Sequence, residues 1–213
     1  MTALAELVIA LIPPALVAVL YSLYGREPRQ PAGVNLRAFG AGSLAVIPVV
    51  LVVLLVPGPV SVAPESASEF GRMFVLTGLM EETTKLTALA VLAWPPAWSE
   101  HPRHSAAAGA AVGFGFGTAE TVLASVTGSG LVILRSLLVS PFHALTTATM
   151  AVLFGRRATL GPGGIVGGVL LLAALHTGFN IILQTGTPGI VGAAVLALVW
   201  TGVLLRYCAM VEG

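Results

Sequence analysis

The sequence predicts an all-α polytopic membrane helix bundle of about seven transmembrane helices, with the N-terminus outside and the C-terminus cytoplasmic. Three observations predict it. Of 213 residues, 56% are hydrophobic and only 9% are charged, where an ordinary soluble domain carries about 25% charged residues. The mean hydropathy of +0.96 leaves too little polar surface to cover a water-soluble fold. Seven apolar runs are each long enough to cross the hydrocarbon, which takes about 20 helical residues. Backbone groups in lipid must be paired within their own segment, which makes these runs helices.

The first run, about 2–24, has no basic leader and carries Glu6, so it is expected to be a span and not a cleaved signal peptide. The second, about 38–57, is almost wholly apolar. The third, about 71–95, holds Glu81, Glu82 and Lys85. The fourth, about 105–126, holds Glu120 and repeats glycine at Gly109, Gly113 and Gly117. The fifth, about 131–154, holds His143, and the sixth, about 164–184, holds Gly164, Gly168, His176 and Asn180 on one face. The seventh covers about 189–206. Faces of small residues let membrane helices approach closely. The Gly-Phe-Gly-Phe-Gly run from Gly113 to Gly117 lies inside a span with no strand before it, which excludes a phosphate loop. Residues 1–213 read as a single integral membrane domain with a motif-bearing core at about 71–184.

Arginines sort to one side of these helices. Arg26, Arg29 and Arg37 fall in the first loop, Arg103 in the third, Arg156 and Arg157 in the fifth, and Arg206 after the last span. Arg72 and Arg135, with Glu65 and Glu69, fall on the other side. The Lys/Arg excess marks the cytoplasm. Arg135, near the outer end of its span, is expected to snorkel to the headgroups, and Trp94 and Trp98 to anchor at the interface. There is no basic patch, so nucleic acid is not an expected partner. Cys208, the only cysteine, matches no metal spacing. His101 and His104 flank Pro102 in what reads as a solvated loop. The Ala/Gly/Val/Leu-rich composition is of the kind a high-GC prokaryote encodes, so the expected location is its plasma (inner) membrane, multi-pass.

The chemistry gathers in spans three to six. Glu81, Glu82, His143 and His176 each lie about 10–12 residues from a span end, near mid-membrane at 1.5 Å per residue. Glu120 and Asn180 lie about one turn nearer the outer face. Each charge at a helix centre costs about 2.5–3.5 kcal/mol, so four unpaired groups would cost on the order of 10 kcal/mol, comparable to a domain's whole stability. They must therefore face each other, and buried ionisable groups in a membrane mark function by default. Lys85 falls angularly between Glu81 and Glu82 and can pair with either. One carboxylate is then free to reach the centre while the other is held. Three carboxylates against one ammonium leave a charge of −2, which a divalent cation, two imidazolium groups or protonated carboxylates would relieve. Structural alternatives are a buried ion pair fixing helix packing, and histidine or asparagine side chains bonding neighbouring helices. Thr84 and Thr147 read as back-bonded helix residues, and Phe116 as packing.

Glu81-Glu82-x-x-Lys85, Phe116-x-x-x-Glu120, an intramembrane His143 and His176-x-x-x-Asn180, in that order, resemble the PrsW family of intramembrane proteases. That family is related to the CAAX prenyl proteases and the CPBP/abortive-infection membrane proteins. The CAAX relatives typically have His where this chain has Glu120 and Arg where it has Lys85, so both positions point to the PrsW branch. The resemblance covers about half the chain. It implies an endopeptidase that cleaves a membrane protein, such as a single-pass anti-sigma factor, within or near the bilayer.

Hydrolysis needs an activated water, an oxyanion stabiliser and a proton donor. In a metalloprotease version Glu120, His143 and His176 hold Zn2+, and Glu81 or Glu82 takes the water's proton. In a metal-free version a Glu81/Glu82 carboxylate activates water, His143 assists, and His176 with Asn180 supports the oxyanion. Lys85 orients the dyad in both. The rival classes are a proton- or ion-coupled transporter using the same Glu/Lys/His cluster, and a non-catalytic membrane scaffold. No inverted repeat or paired broken helices favour transport.

Overall fold

A computed structural model describes residues 32–57, 64–93, 101–126 and 132–212, and every regular element among them is helical. The first run, with Arg26 and Arg29, lies outside the described residues, as do Trp94 and Trp98. Helices α1 (Ala32–Leu44) and α2 (Val46–Leu55) form one near-continuous rod broken at Ala45. Pro48 causes the break, because it has no N–H for the Leu44 carbonyl and its ring crowds that oxygen.

Helix α3 runs from Ala67 to Ala93 as alternating segments: α-helical Ala67–Met73, π-helical Phe74–Leu79, α-helical Met80–Ala88 and π-helical Leu89–Ala93. Ser66 caps it by accepting from the Glu69 N–H at 3.2 Å, while Glu69 Oε2 accepts from the Glu65 N–H at 2.8 Å. Helix α4 is Pro102–Val126. Helix α5 runs through Val132–Leu134, a π-helical turn Arg135–Val139, and Ser140–Gly155. Helix α6 is Arg157–Leu183, kinked where Gly161 takes φ 66° just before Pro162. Helix α7 is Thr187–Glu212.

Five stretches are long and apolar enough to cross a membrane: Asn35–Leu55, Pro102–Val126, Val132–Gly155, Arg157–Leu183 and Thr187–Val211. They correspond to the second, fourth, fifth, sixth and seventh runs of the sequence. Helix α3 matches the third run, but Glu81, Glu82 and Lys85 keep it out of that apolar set.

Helix α4 is the centre of the packing. A Cβ on Gly109, Gly113 or Gly117 would run into the α5 backbone at Thr147, His143 or Ser140. A Cβ on Gly115 would strike the Phe39 carbonyl of α1, and one on Gly42 the Val112 carbonyl of α4. Residues two apart on a helix point to nearly opposite sides. The Gly-Phe-Gly-Phe-Gly run therefore brings α1 and α5 against the two sides of α4. Between α1 and α4 the core is made of small side chains, among them Ala38, Ala41, Ala108 and Val112. A second core of Val139, Phe142, Phe179 and Ala193 joins α5, α6 and α7. The glycine ladder of α6 behaves differently. A Cβ on Gly164 meets only the helix's own Leu160 side chain, and one on Gly168 only the Leu153 side chain, so neither seats a neighbouring backbone. Gly78, in the first π turn of α3, does so instead, lying against the Ala173 carbonyl and Thr177 of α6.

Candidate active site

Four helices place Glu81, Glu82, Lys85, Glu120, His143 and His176 in one connected cluster. The α-helical segment of α3 that carries Glu81, Glu82 and Lys85 lies between two π turns, and a third π turn precedes His143. Such turns recur at functional sites. Glu82 is fully buried, and its Oε1 accepts from Lys85 Nζ at 2.8 Å, His176 Nδ1 at 2.9 Å and Thr146 Oγ1 at 3.4 Å. Lys85 Nζ also lies 2.8 Å from His143 Nδ1 and 3.8 Å from Glu81 Oε2. An ammonium can only donate, so Nδ1 of His143 accepts and its Nε2 carries the proton, donated to Glu120 Oε2 at 2.8 Å. A carboxylate can only accept, so His176 donates Nδ1–H to Glu82, while its Nε2 lies 3.7 Å from Glu81 Oε2.

The two neighbouring carboxylates thus divide their work. Glu82 is the held one. Glu81 Oε2 is buried, with no hydrogen-bond partner in the site, and Glu82 Oε2 is likewise unpartnered. Their 100° angular separation on α3 permits this division, but only the neighbours' positions decide which carboxylate takes which part.

Apolar rings wall the cluster. Phe116 lies with its centroid 4.5 Å from Lys85 Nζ and 5.1 Å from the His143 ring. Phe142 stacks on Phe179 at 3.7 Å and meets His176 edge-on at 5.8 Å. Trp200 of α7 closes against Phe142 and donates from Nε1 to Thr149 Oγ1 at 3.1 Å. Phe116 is therefore packing, as its sequence position suggests, and packing against the site itself. Thr84 and Thr147 are back-bonded, to the Glu81 and His143 carbonyls. Asn180, half-buried one turn beyond His176 on α6, has no hydrogen-bond partner among the described residues. His101 and His104 sit at the start of α4, their rings 5.1 Å apart.

Arg135 departs from its expected place. Its Nη2 is turned onto Glu120 Oε1 and not toward the headgroups. Sequence reasoning missed this because an arginine near a span end reads as a snorkelling one. With Arg135 included, three carboxylates face two cations, and the site's formal charge with neutral imidazoles is −1 in place of −2.

Among the described residues, Glu81, His143 and His176 form the group that could hold a metal ion, each offering a donor atom within 4.8 Å of the others. Glu120 is not in that group, since its two oxygens are taken by Arg135 and His143. The donors fit a metal on three grounds. Glu81 Oε2 is a buried orphan oxygen. The ring nitrogens facing Glu81 are His176 Nε2 and His143 Nδ1, the latter accepting from Lys85. Each imidazole has its other nitrogen held by a carboxylate, Glu120 or Glu82, the arrangement that fixes tautomer and orientation in metal sites. Coordination through His143 Nδ1 requires Lys85 to give way.

The family model described as "PrsW family intramembrane metalloprotease" matches residues 30–206. A relative, "Protease PrsW" of Shouchella clausii (strain KSM-K16), is 28% identical over 186 residues, covering 84% of each chain. No solved structure matches.

Proposed function

Since the chain belongs to the PrsW family of intramembrane metalloproteases and is an intramembrane protease, we propose that Glu81, Glu82, Lys85, Glu120, His143, His176 and Asn180 are its catalytic machinery. The observation that carries this reading is the convergence of the Glu81, His143 and His176 donor atoms within 4.8 Å, behind carboxylates that fix both imidazoles.

Glu81, His143 and His176 would hold the metal, proposed to be zinc on the grounds of its nitrogen and oxygen donors. Bound there, it would supply a Lewis acid that polarises the scissile carbonyl and acidifies water. The chain's own residues do the rest. Glu82 holds His176 through Nδ1–H, and Lys85 holds Glu82. Glu120 holds His143 through Nε2–H. With Glu81 committed as a donor, the proton acceptor is Glu82 Oε2, which has no other partner. Asn180 offers its side-chain amide to the oxyanion from one turn beyond His176. Phe116, Phe142 and Phe179 exclude bulk water, which strengthens every charge interaction inside. A metal-free glutamate mechanism keeps one observation in its favour: the Lys85 ammonium already occupies the His143 Nδ1 lone pair. In that version Glu81 Oε2 takes the proton.

The machinery lies near mid-membrane depth, and the five apolar helices and α3 span, which with the sequence's apolar run at about 2–24, outside the described residues, gives the expected seven. The packing of Arg156 over the Tyr207 ring at 5.4 Å supports the topology, because it puts the α5–α6 turn and the end of α7, with Arg206, at one basic end. The N-terminus is then outside and the C-terminus cytoplasmic, in the plasma membrane of a prokaryote. The substrate is a single-pass membrane protein, such as an anti-sigma factor.

Metal content of the detergent-purified protein beside His176→Ala tests this reading. One zinc per wild-type chain, lost together with cleavage in the variant, is the expected result. A His176→Ala protein that inserts normally and cleaves at the wild-type rate sinks the site assignment.

A further inference from the structure

We propose that Arg135 is a positioning residue for cleavage: it fixes the Glu120 carboxylate so that Glu120 sets the proton and orientation of His143. This rests on the protease site proposed above, and on a chain of contacts in which Arg135 is the outermost member. Arg135 Nη2 grips Glu120 Oε1, Glu120 Oε2 accepts from His143 Nε2, and His143 Nδ1 faces Lys85. With one oxygen gripped, the carboxylate cannot rotate away from His143 without breaking the ion pair.

Three observations separate this role from a surface arginine's. The Arg135 side chain is 22% exposed and that of Glu120 is 30%, while His143, Lys85, Glu82, His176 and Glu81 are at most 7%. The pair thus sits at the rim of the site, where Glu120 needs a partner to keep it turned inward. Arg135 Nε is buried without a partner among the described residues, whereas a snorkelling arginine would leave it hydrated. Finally, Arg135 opens the π turn Arg135–Val139. At about 100° per residue it would fall about 80° round the helix from His143. The wider i→i+5 turn takes in an extra residue and brings it back toward the His143 face.

An ion pair this exposed contributes little to stability, so its loss should register in chemistry before it registers in folding. The contact is made through one nitrogen, so lysine can replace it. The test compares wild type, Arg135→Ala, Arg135→Gln and Arg135→Lys as full chains, checked for insertion. The first readout is the His143 Nε2–H resonance of ¹⁵N-histidine-labelled protein, identified by its disappearance in His143→Gln. The second is kcat and KM on a single-pass reporter, an apolar helix of about 20 residues between two fluorescent domains. The resonance should persist in wild type and Arg135→Lys and be lost to exchange in Arg135→Ala and Arg135→Gln. In those two variants kcat should fall about 10–100-fold, the usual effect of removing an outer-shell partner, with KM within about two-fold and Arg135→Lys restoring most of the rate. An unchanged resonance in Arg135→Ala overturns the proposal whatever the rate does, and so does a lost resonance with unchanged kcat. His176→Ala is assayed alongside. If it cleaves like wild type, the protease-site reading has failed, while the resonance still judges Arg135.

Discussion

Substituting Gly113 with alanine probes how tightly helix packing controls the site. A Cβ at Gly113 would lie 2.5 Å from the His143 carbonyl carbon and 2.6 Å from Ala144 Cα, where ordinary contact begins at 3.4 Å. Both obstacles are backbone, so no side chain can swing aside. The His143 carbonyl oxygen is nearer still, so helix α5 must withdraw by at least about 0.9 Å at the residue that carries a candidate catalytic imidazole. Overpacking of this kind costs about 1–3 kcal/mol, which a bundle of this size survives. Misplacing a catalytic group by about 1 Å costs on the order of 100-fold in rate. Gly113→Ala should therefore insert and fold with a modestly lowered melting temperature while kcat falls about 100-fold. Gly167→Ala is the control, because a Cβ there meets nothing within 4 Å. Melting in detergent and reporter cleavage in liposomes measure the two effects. A Gly113→Ala enzyme with wild-type kcat would refute the claim that the α4–α5 distance sets the position of His143.

Two further expectations separate neighbouring roles. Glu81→Gln should abolish cleavage with little change in stability, because its Oε2 is already unpartnered. Glu82→Gln should also cost about 3 kcal/mol in denaturant titrations, the low end for breaking a buried pair, since Glu81 remains 3.8 Å from Lys85. Equal stability of the two variants would contradict the division of labour between the carboxylates. Trp200→Phe removes the 3.1 Å bond to Thr149. It should cost about 0.6 kcal/mol, as interhelical bonds in membranes do, and leave kcat within about two-fold, so a large loss of rate would place α7 in the chemistry.

The amino-acid sequence by itself determined the solvent, the class of fold and the chemistry. Its apolar runs are readable because a helix in lipid satisfies its own backbone, so each run reports its structure without knowledge of its neighbours. The candidate positions Glu81/Glu82/Lys85, Glu120, His143 and His176/Asn180 stand out in the sequence for the opposite reason: an ionisable or strongly polar side chain within an apolar run is costly. The glycines at 109, 113 and 117 announced a close helix contact, and α5 makes it. Those at 164 and 168 carry the same spacing without such a contact, because spacing creates a face and cannot say what fills it.

Only the tertiary structure decided which groups pair. Glu81 and Glu82 are equivalent in sequence, and His176 Nδ1 breaks the tie by bonding Glu82. Glu120 reads as a ligand until Arg135 and His143 are seen to take both its oxygens. Arg135 itself was hidden, because a helical wheel assumes one angle per residue, and the π turn at 135–139 departs from it. Periodicity and composition are local properties that each helix carries alone. The direction of a carboxylate, the tautomer of an imidazole and the register of a π turn are set by contacts between helices far apart in the chain.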